Sequence, residues 1–298
     1  MTKPIQPVAS PLRPWRLLFL AIASLSLAFN QPLISLVGLA FSSDLHSHTI
    51  VIPLVSTWLI WLRRDSLPQP SGRPARIPAL LCAIASASAL AWALIPSWAP
   101  TGEPLHQLTW TIAAYLLGLG AVSSWFLCGA TVRAIVVPLL FLGFMVPMPV
   151  WLESGIETSL QHASAEATHL FFSVFGVPFL RDGQIFKLPY ITMEIAQECS
   201  GIRSSLVLFI ISIVAGQVLL PTGWRRWTLT LAVLPLAILR NGFRVFTLGV
   251  LCERYGPHMI HHWIHHRGGP VFFALSLIPF FALLVVLARP QRKTAPRL

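Results

Sequence analysis

Eight stretches of the chain run for about twenty residues with almost no charge in them, and this limits the fold more than any motif does. They lie near 17–41, 47–62, 78–96, 107–127, 133–150, 202–220, 227–251 and 269–288. A helix of about 20 apolar residues crosses the hydrocarbon of a bilayer. Only 10% of the 298 residues are charged and the mean hydropathy is +0.71, whereas soluble domains carry roughly 25% charged residues. A chain this poor in charge cannot cover a water-facing surface, so the bilayer is its main solvent. The expectation is an all-α polytopic membrane protein with about eight transmembrane helices, forming a single transmembrane domain over 1–298. The second stretch is short, and Asn30-Gln31-Pro32 interrupts the first. Those two are expected to kink or re-enter.

A formal net charge of +11 would suggest nucleic acid in a soluble protein. Here the placement of the charges argues for topology, and no nucleic-acid partner is expected. Basic residues gather on the cytoplasmic side of spanning helices. With the N-terminus inside, that side holds Lys3, Arg13, Arg16, Arg63, Arg64, Arg73, Arg76, Arg133, Arg225, Arg226, Arg289, Arg292, Lys293 and Arg297. Of the acids only Asp65 joins them. Asp44, Glu103, Glu153, Glu157, Glu166, Asp182, Glu194, Glu198 and Glu253 all fall outside or at the outer interface. Both termini are therefore expected in the cytoplasm, with tails at 1–16 and 289–298, in a multi-pass protein of a bacterial inner membrane. The basic start leads into an apolar run too long for a signal peptide, so no cleavage is expected.

The one long segment between spans, 151–201, then lies outside the cytoplasm. It opens with an amphipathic stretch from Glu153 to Phe175, apolar at Ile156, Leu160, Ala163, Ala167, Leu170 and Val174, which reads as a helix along the membrane surface. Gly176-Val177-Pro178 ends it, and Arg181-Asp182-Gly183 is a turn signal. The stretches 184–188 and 190–195 alternate like two short strands. This short α/β segment delivers the chain to Glu198-Cys199-Ser200-Gly201.

Three features share the outer side. Cys199 stands where the chain enters the sixth span, and a helix N-terminus there favours a thiolate. The seventh span ends in Arg240-Asn241-Gly242-Phe243-Arg244, whose two arginines share a helix face. The loop after it carries His258, His261, His262, His265 and His266. A thiol, an imidazole and a guanidinium form a workable set for acyl transfer, as nucleophile, general acid/base and oxyanion stabiliser. Each residue also has a plainer reading. Cys82 and Cys128 pack within or beside spans. Cys252 at the outer interface is within reach of a disulfide with Cys199 as the alternative to a free thiol. Arginines near helix ends ordinarily snorkel to the headgroups; this reading suits Arg203 as well as a site role does, and suits Arg240 better. His261 and His265 are four apart, like two ligands on one helical face. Without acids or cysteines at ligand spacing, neither a metal nor any other cofactor is expected.

Glu198-Cys199-Ser200-Gly201-Ile202-Arg203-Ser204, then Asn241-Gly242-Phe243-Arg244, then His265 with Gly269 four residues on, resembles the exosortase/archaeosortase family. Asp44-Leu45-His46-Ser47-His48 running into Val51-Ile52-Pro53-Leu54 resembles its first outer loop, Trp58 to Arg64 its second span, and Leu139 to Pro149 its fifth. The likeness covers roughly residues 40 to 275. It implies a membrane cysteine protease or transpeptidase that acts on secreted proteins carrying a C-terminal sorting signal, built from a short motif such as Pro-Glu-Pro, a transmembrane helix and a basic tail. The cleaved chain would pass through a thioester acyl-enzyme to an acceptor. By resemblance Cys199 matches the nucleophile, Arg244 the arginine and His265 the histidine. Glu198, Ser200, Gly201, Arg203, Asn241, Arg240 and His266 would bind substrate or support these three. Bacterial members usually carry an acid where this chain has His266, and archaeal members an arginine in place of the histidine, with Arg267 close by here. The base is therefore open between His265 and its neighbours.

The implied partners are the membrane-anchored substrates, the lipid bilayer and an exopolysaccharide machinery. No further domain is expected beyond the eighth span, which would make this a minimal core enzyme. The rival classes are a membrane transporter and a non-catalytic scaffold of an exopolysaccharide or secretion system. No internal repeat and no acid deep in a span supports the transporter.

Overall fold

The computed structural model describes residues 13–68, 74–94, 104–195, 201–256 and 268–289. The described residues are about 82% helical. Its ten helices among the described residues are α1 (Arg13–Ala28), α2 (Asn30–Ser42), α3 (Val51–Leu62), α4 (Arg76–Leu94), α5 (Pro104–Phe126), α6 (Gly129–Phe141), α7 (Val150–Val174), α8 (Ile202–Leu219), α9 (Gly223–Tyr255) and α10 (Gly269–Ala288). Three short antiparallel strands lie between α7 and α8 in the order β1 (Leu180–Asp182), β2 (Ile185–Lys187), β3 (Thr192–Glu194).

Large apolar side chains cover the outside: Phe41 is 81% exposed, Ile77 76% and Leu80 62%. Water would not tolerate that much apolar surface, whereas lipid does. Five helices, α4, α5, α8, α9 and α10, are long and apolar enough to cross a membrane, and the count reaches seven if each of two bent pairs is one span. The protein is thus a multi-pass helical membrane protein. The count falls short of eight because Ser47–Leu62, the second expected span, is only a shorter apolar helix. The 33 residues of α9 extend about 50 Å at 1.5 Å per residue, well beyond the roughly 30 Å hydrocarbon layer.

The chain divides into two compact units at Val150. In the first, the expected interruption of the first span is a 71° bend between Trp15–Ala28 and Asn30–Ser42. Pro32 has no N–H to give the carbonyl of Ala28, and its ring crowds that carbonyl, so the ladder breaks there. Ser26 and Tyr115 join α1 to α5 through their hydroxyls (3.0 Å), and Ser86 Oγ on α4 donates to Ala114 O on α5 (2.7 Å). Pro138 inside α6 leaves the Ala134 carbonyl without its helical donor, and Arg63 Nη1 supplies one at 3.3 Å. Ser56 Oγ donates to the Pro138 carbonyl itself at 2.8 Å. In the turn after α2, burial and then the nearby His48 push the His46 imidazole below its ordinary value of 6.5.

In the second unit, α8, α9 and α10 close around Leu208, Leu220, Leu229, Val233, Phe280, Leu284 and Leu287. Two arginines in the first turn of α9 finish the neighbouring helices. Arg225 Nη1 donates to Leu287 O (2.8 Å) and Arg289 O (3.0 Å) at the end of α10. Arg226 Nε donates to Leu220 O (2.9 Å) and its Nη1 to Gln217 Oε1 (3.1 Å) at the end of α8. The last carbonyls of a helix have no partner of their own, and cations are favoured beside them. A second cluster joins α7, the sheet and α9 through Phe172, Phe186, Met193, Ile195, Val245 and Phe246. Fully burying one such side chain is worth about 1.5–3 kcal/mol.

Candidate active site

Helix α9 comes against α7 where neither has bulk. A β-carbon on Gly242 would sit 2.5 Å from Ala167 Cβ and 3.0 Å from Thr168 N, so only glycine fits. Ser164, Ala165, Ala167 and Thr168 on α7 are buried. This is the close approach that small residues allow between membrane helices. Thr168 Oγ1 is satisfied by Ser164 O at 2.8 Å, and Asn241 Nδ2 donates to Ser164 Oγ at 3.0 Å. The crossing therefore fixes Asn241, and with it the residues one step before and three beyond.

The same segment of α9 presses on the beginning of α8. Gly201, at the N-cap of α8, has φ 73° and ψ 15°, the left-handed conformation in which glycine is at ease. A β-carbon there would lie 3.1 Å from Arg240 Nη2 and 3.2 Å from Asn241 Oδ1. Arg240 Nη2 donates to Gly201 O and Ser205 Oγ, both at 3.3 Å. Arg240 is 8% exposed and lies in the middle of α9, which runs on to Tyr255, so it is not the snorkelling residue near a helix end that the sequence suggests. The physical reason is the facing backbone: Gly201 presents a carbonyl and no side chain. Arg244, one turn further on, is half-buried on the same face. Arg203, in the first turn of α8, is exposed.

The sheet is held to α7 on the approach to this point. Gln161 Nε2 donates to the Ile195 carbonyl, and Ile195 N bonds Gln184 O at 3.2 Å. Arg181 makes a two-pronged contact with Glu166 at 3.1 and 2.6 Å, and its Nε donates to Gly183 O at 2.8 Å. Ile195 is the last described residue before Gly201. The sequence-expected residues Glu198, Cys199, Ser200, His265 and His266 lie outside the described residues. Of those within it, the structure brings Gly201, Arg240 and Asn241 into contact, with Arg244 on the next turn. Cys252, offered as a disulfide partner, is a free and fully buried thiol. Sequence reasoning missed Gln161 and the small face of α7. The spacing of Ala163, Ser164, Ala167 and Thr168, a small-residue repeat at intervals of three to four, was the available signal.

Fold and site together define a polytopic helical membrane protein in which Arg240 and Asn241 pack on the N-terminus of a spanning helix, with Arg244 one turn further on. The sequence matches the family model for transmembrane exosortase (exosortase EpsH) over residues 40–282, well over half of the chain. It therefore belongs to the transmembrane exosortase family, membership that supports a transmembrane sorting transpeptidase in general. No curated protein and no solved structure matches it.

Proposed function

We propose that this protein is a cysteine transpeptidase of the bacterial inner membrane, acting on the outer face on secreted proteins that carry a C-terminal sorting signal. Such a signal would combine a short motif, a transmembrane helix and a basic tail. The Cys199 thiolate attacks the carbonyl at the cleavage point, and Arg244 stabilises the oxyanion that forms. His265 protonates the departing amine as the peptide bond breaks, leaving a thioester. An acceptor nucleophile then attacks the thioester, His265 takes its proton, and the thiolate is released. Placing this chemistry outside rests on eight spans with both termini inside, on a single domain over 1–298, and on the gathering of basic residues on the opposite side.

One observation carries the reading. The Arg240-Asn241 step of α9 lies against Gly201, with a would-be β-carbon 3.1 Å and 3.2 Å from the two side chains. Gly201 follows Cys199 by two residues in the sequence. Two motifs some forty residues apart are thus held at one place, and the family match spans both.

The test is to trap the acyl-enzyme. The full-length protein in lipid nanodiscs is mixed with a peptide bearing the sorting signal, and the Cys199-containing fragment is weighed. A mass increase equal to the cleaved segment, removed by hydroxylamine and absent from Cys199→Ser, is the expected result. Cleavage by Cys199→Ser at the wild-type rate would overturn the reading.

A further inference from the structure

We propose that Arg240 is a positioning residue for this reaction: it holds the left-handed turn at Gly201 and keeps a positive charge at the N-terminus of α8 for the anion that forms beside it. The inference rests on the function proposed above but uses a residue to which that mechanism gives no task.

The Gly201 carbonyl is already well supplied. Ser205 N lies 3.0 Å away, Ser205 Oγ 2.8 Å and Ser204 Oγ 3.1 Å. Arg240 Nη2 adds a fourth donor at 3.3 Å and reaches Ser205 Oγ as well. Satisfying that carbonyl therefore does not require a guanidinium. The other amino group, Nη1, is buried and finds no hydrogen-bond partner among the described residues. A guanidinium does not lose its proton, so this is a buried cation with a donor to spare.

Its surroundings make the cation more costly still. Arg240 lies at the N-terminal, positive end of the 18-residue helix α8, and Arg244 is one turn away on the same face. Both neighbours repel a positive charge, and both favour a negative one. No carboxylate pairs with it among the described residues, and an arriving anion would match it. The reaction supplies two in turn, the thiolate two residues before Gly201 and the oxyanion of the tetrahedral intermediate. Arg240 Nη2 alone reaches both Gly201 O and Ser205 Oγ, which ties α9 to the turn that Cys199 precedes by two residues in the sequence.

The experiment measures alkylation of Cys199 in the full-length protein in nanodiscs, by mass spectrometry of the Cys199 fragment, with iodoacetamide and with the anionic iodoacetate. Arg240→Gln should slow alkylation by iodoacetamide at pH 7 about tenfold, the effect of moving a thiol by one pKa unit. It should also lower the ratio of the iodoacetate rate to the iodoacetamide rate. Arg240→Lys, which keeps the charge but not the fork, should restore the ratio while leaving the rate below wild type. A folded Arg240→Gln with wild-type rate and ratio would overturn the inference. Should that variant fail to fold, Arg240→Lys carries the test: a slowed rate at preserved ratio supports the proposal, and a wild-type rate contradicts it. Processing of substrate by Cys199→Ser is scored separately in cells. Its persistence would remove the transpeptidase reading without bearing on the alkylation result.

Discussion

Helix α9 carries arginines in two places, and they behave differently. Arg225 in its first turn is 7% exposed and Arg240, four turns on, is 8% exposed. They lie about 22 Å apart along the helix axis. Arg225 and Arg226 meet the carbonyl ends of α10 and α8, where the helix dipole and the unpaired carbonyls both welcome a cation. Arg240 meets the opposite end of α8, where the dipole opposes it, and one of its amino groups has no hydrogen-bond partner among the described residues. Equal burial therefore does not mean equal purpose. The first pair completes helices; the second site holds charge in a place that the fold alone does not favour.

Substitutions that break this comparison rank by expected effect. Arg244→Lys should keep substrate binding and lose about 10²-fold or more in turnover, because a lysine cannot reproduce the fork toward an oxyanion. Steady-state kinetics in nanodiscs check this, and unchanged turnover removes Arg244 from the mechanism. Gly242→Ala should cost about 1–3 kcal/mol in denaturant unfolding, since its methyl would meet Ala167 at 2.5 Å. It should also reduce turnover by displacing Asn241 and Arg240; full activity at full stability would mean that the crossing does not position the site. Arg225→Gln should destabilise by about 1–2 kcal/mol through two weakened bonds to the end of α10, with turnover per folded molecule unchanged.

Two smaller effects lie away from α9. His46 has its pKa held below 6.5 by burial. Its folded form binds fewer protons than the unfolded chain, so stability is lost as pH falls below about 6.5 toward the folded value. Unfolding midpoints at pH 7.5 and 5.5 should therefore differ less in His46→Gln than in wild type. Breaking the exposed Arg181–Glu166 pair with Glu166→Gln should leave the unfolding midpoint unchanged, because solvent screens such pairs.

Much of the architecture was written in the sequence. Pro32 marked the bend of the first span, and the apolar spacing from Glu153 to Phe175 marked α7, which runs over Val150–Val174. Strands β2 and β3 fall inside the two alternating stretches. The edge strand β1 was read only as a turn, because three residues with a charged pair carry too little alternation to register. Within the site, Gly201, Arg240, Asn241 and Arg244 were all legible as residues of interest. The snorkelling reading of Arg240 fails because the sequence shows neither that α9 runs on to Tyr255 nor that Gly201 faces this side chain. The approach of α7 is legible only in part for the same reason: Ala163, Ser164, Ala167 and Thr168 mark a face fit for close packing, but not that Gly242 is what meets it.

The most direct measurement is labelling of Cys199 in intact spheroplasts with a membrane-impermeant thiol reagent, with processing of a substrate bearing the three-part C-terminal signal followed in the same cells. A nucleophile on the outer face requires that Cys199 is labelled, that processing stops as labelling proceeds, and that Cys199→Ser neither labels at that position nor processes. Processing that continues in Cys199→Ser, or in wild-type cells with Cys199 fully labelled, would contradict it.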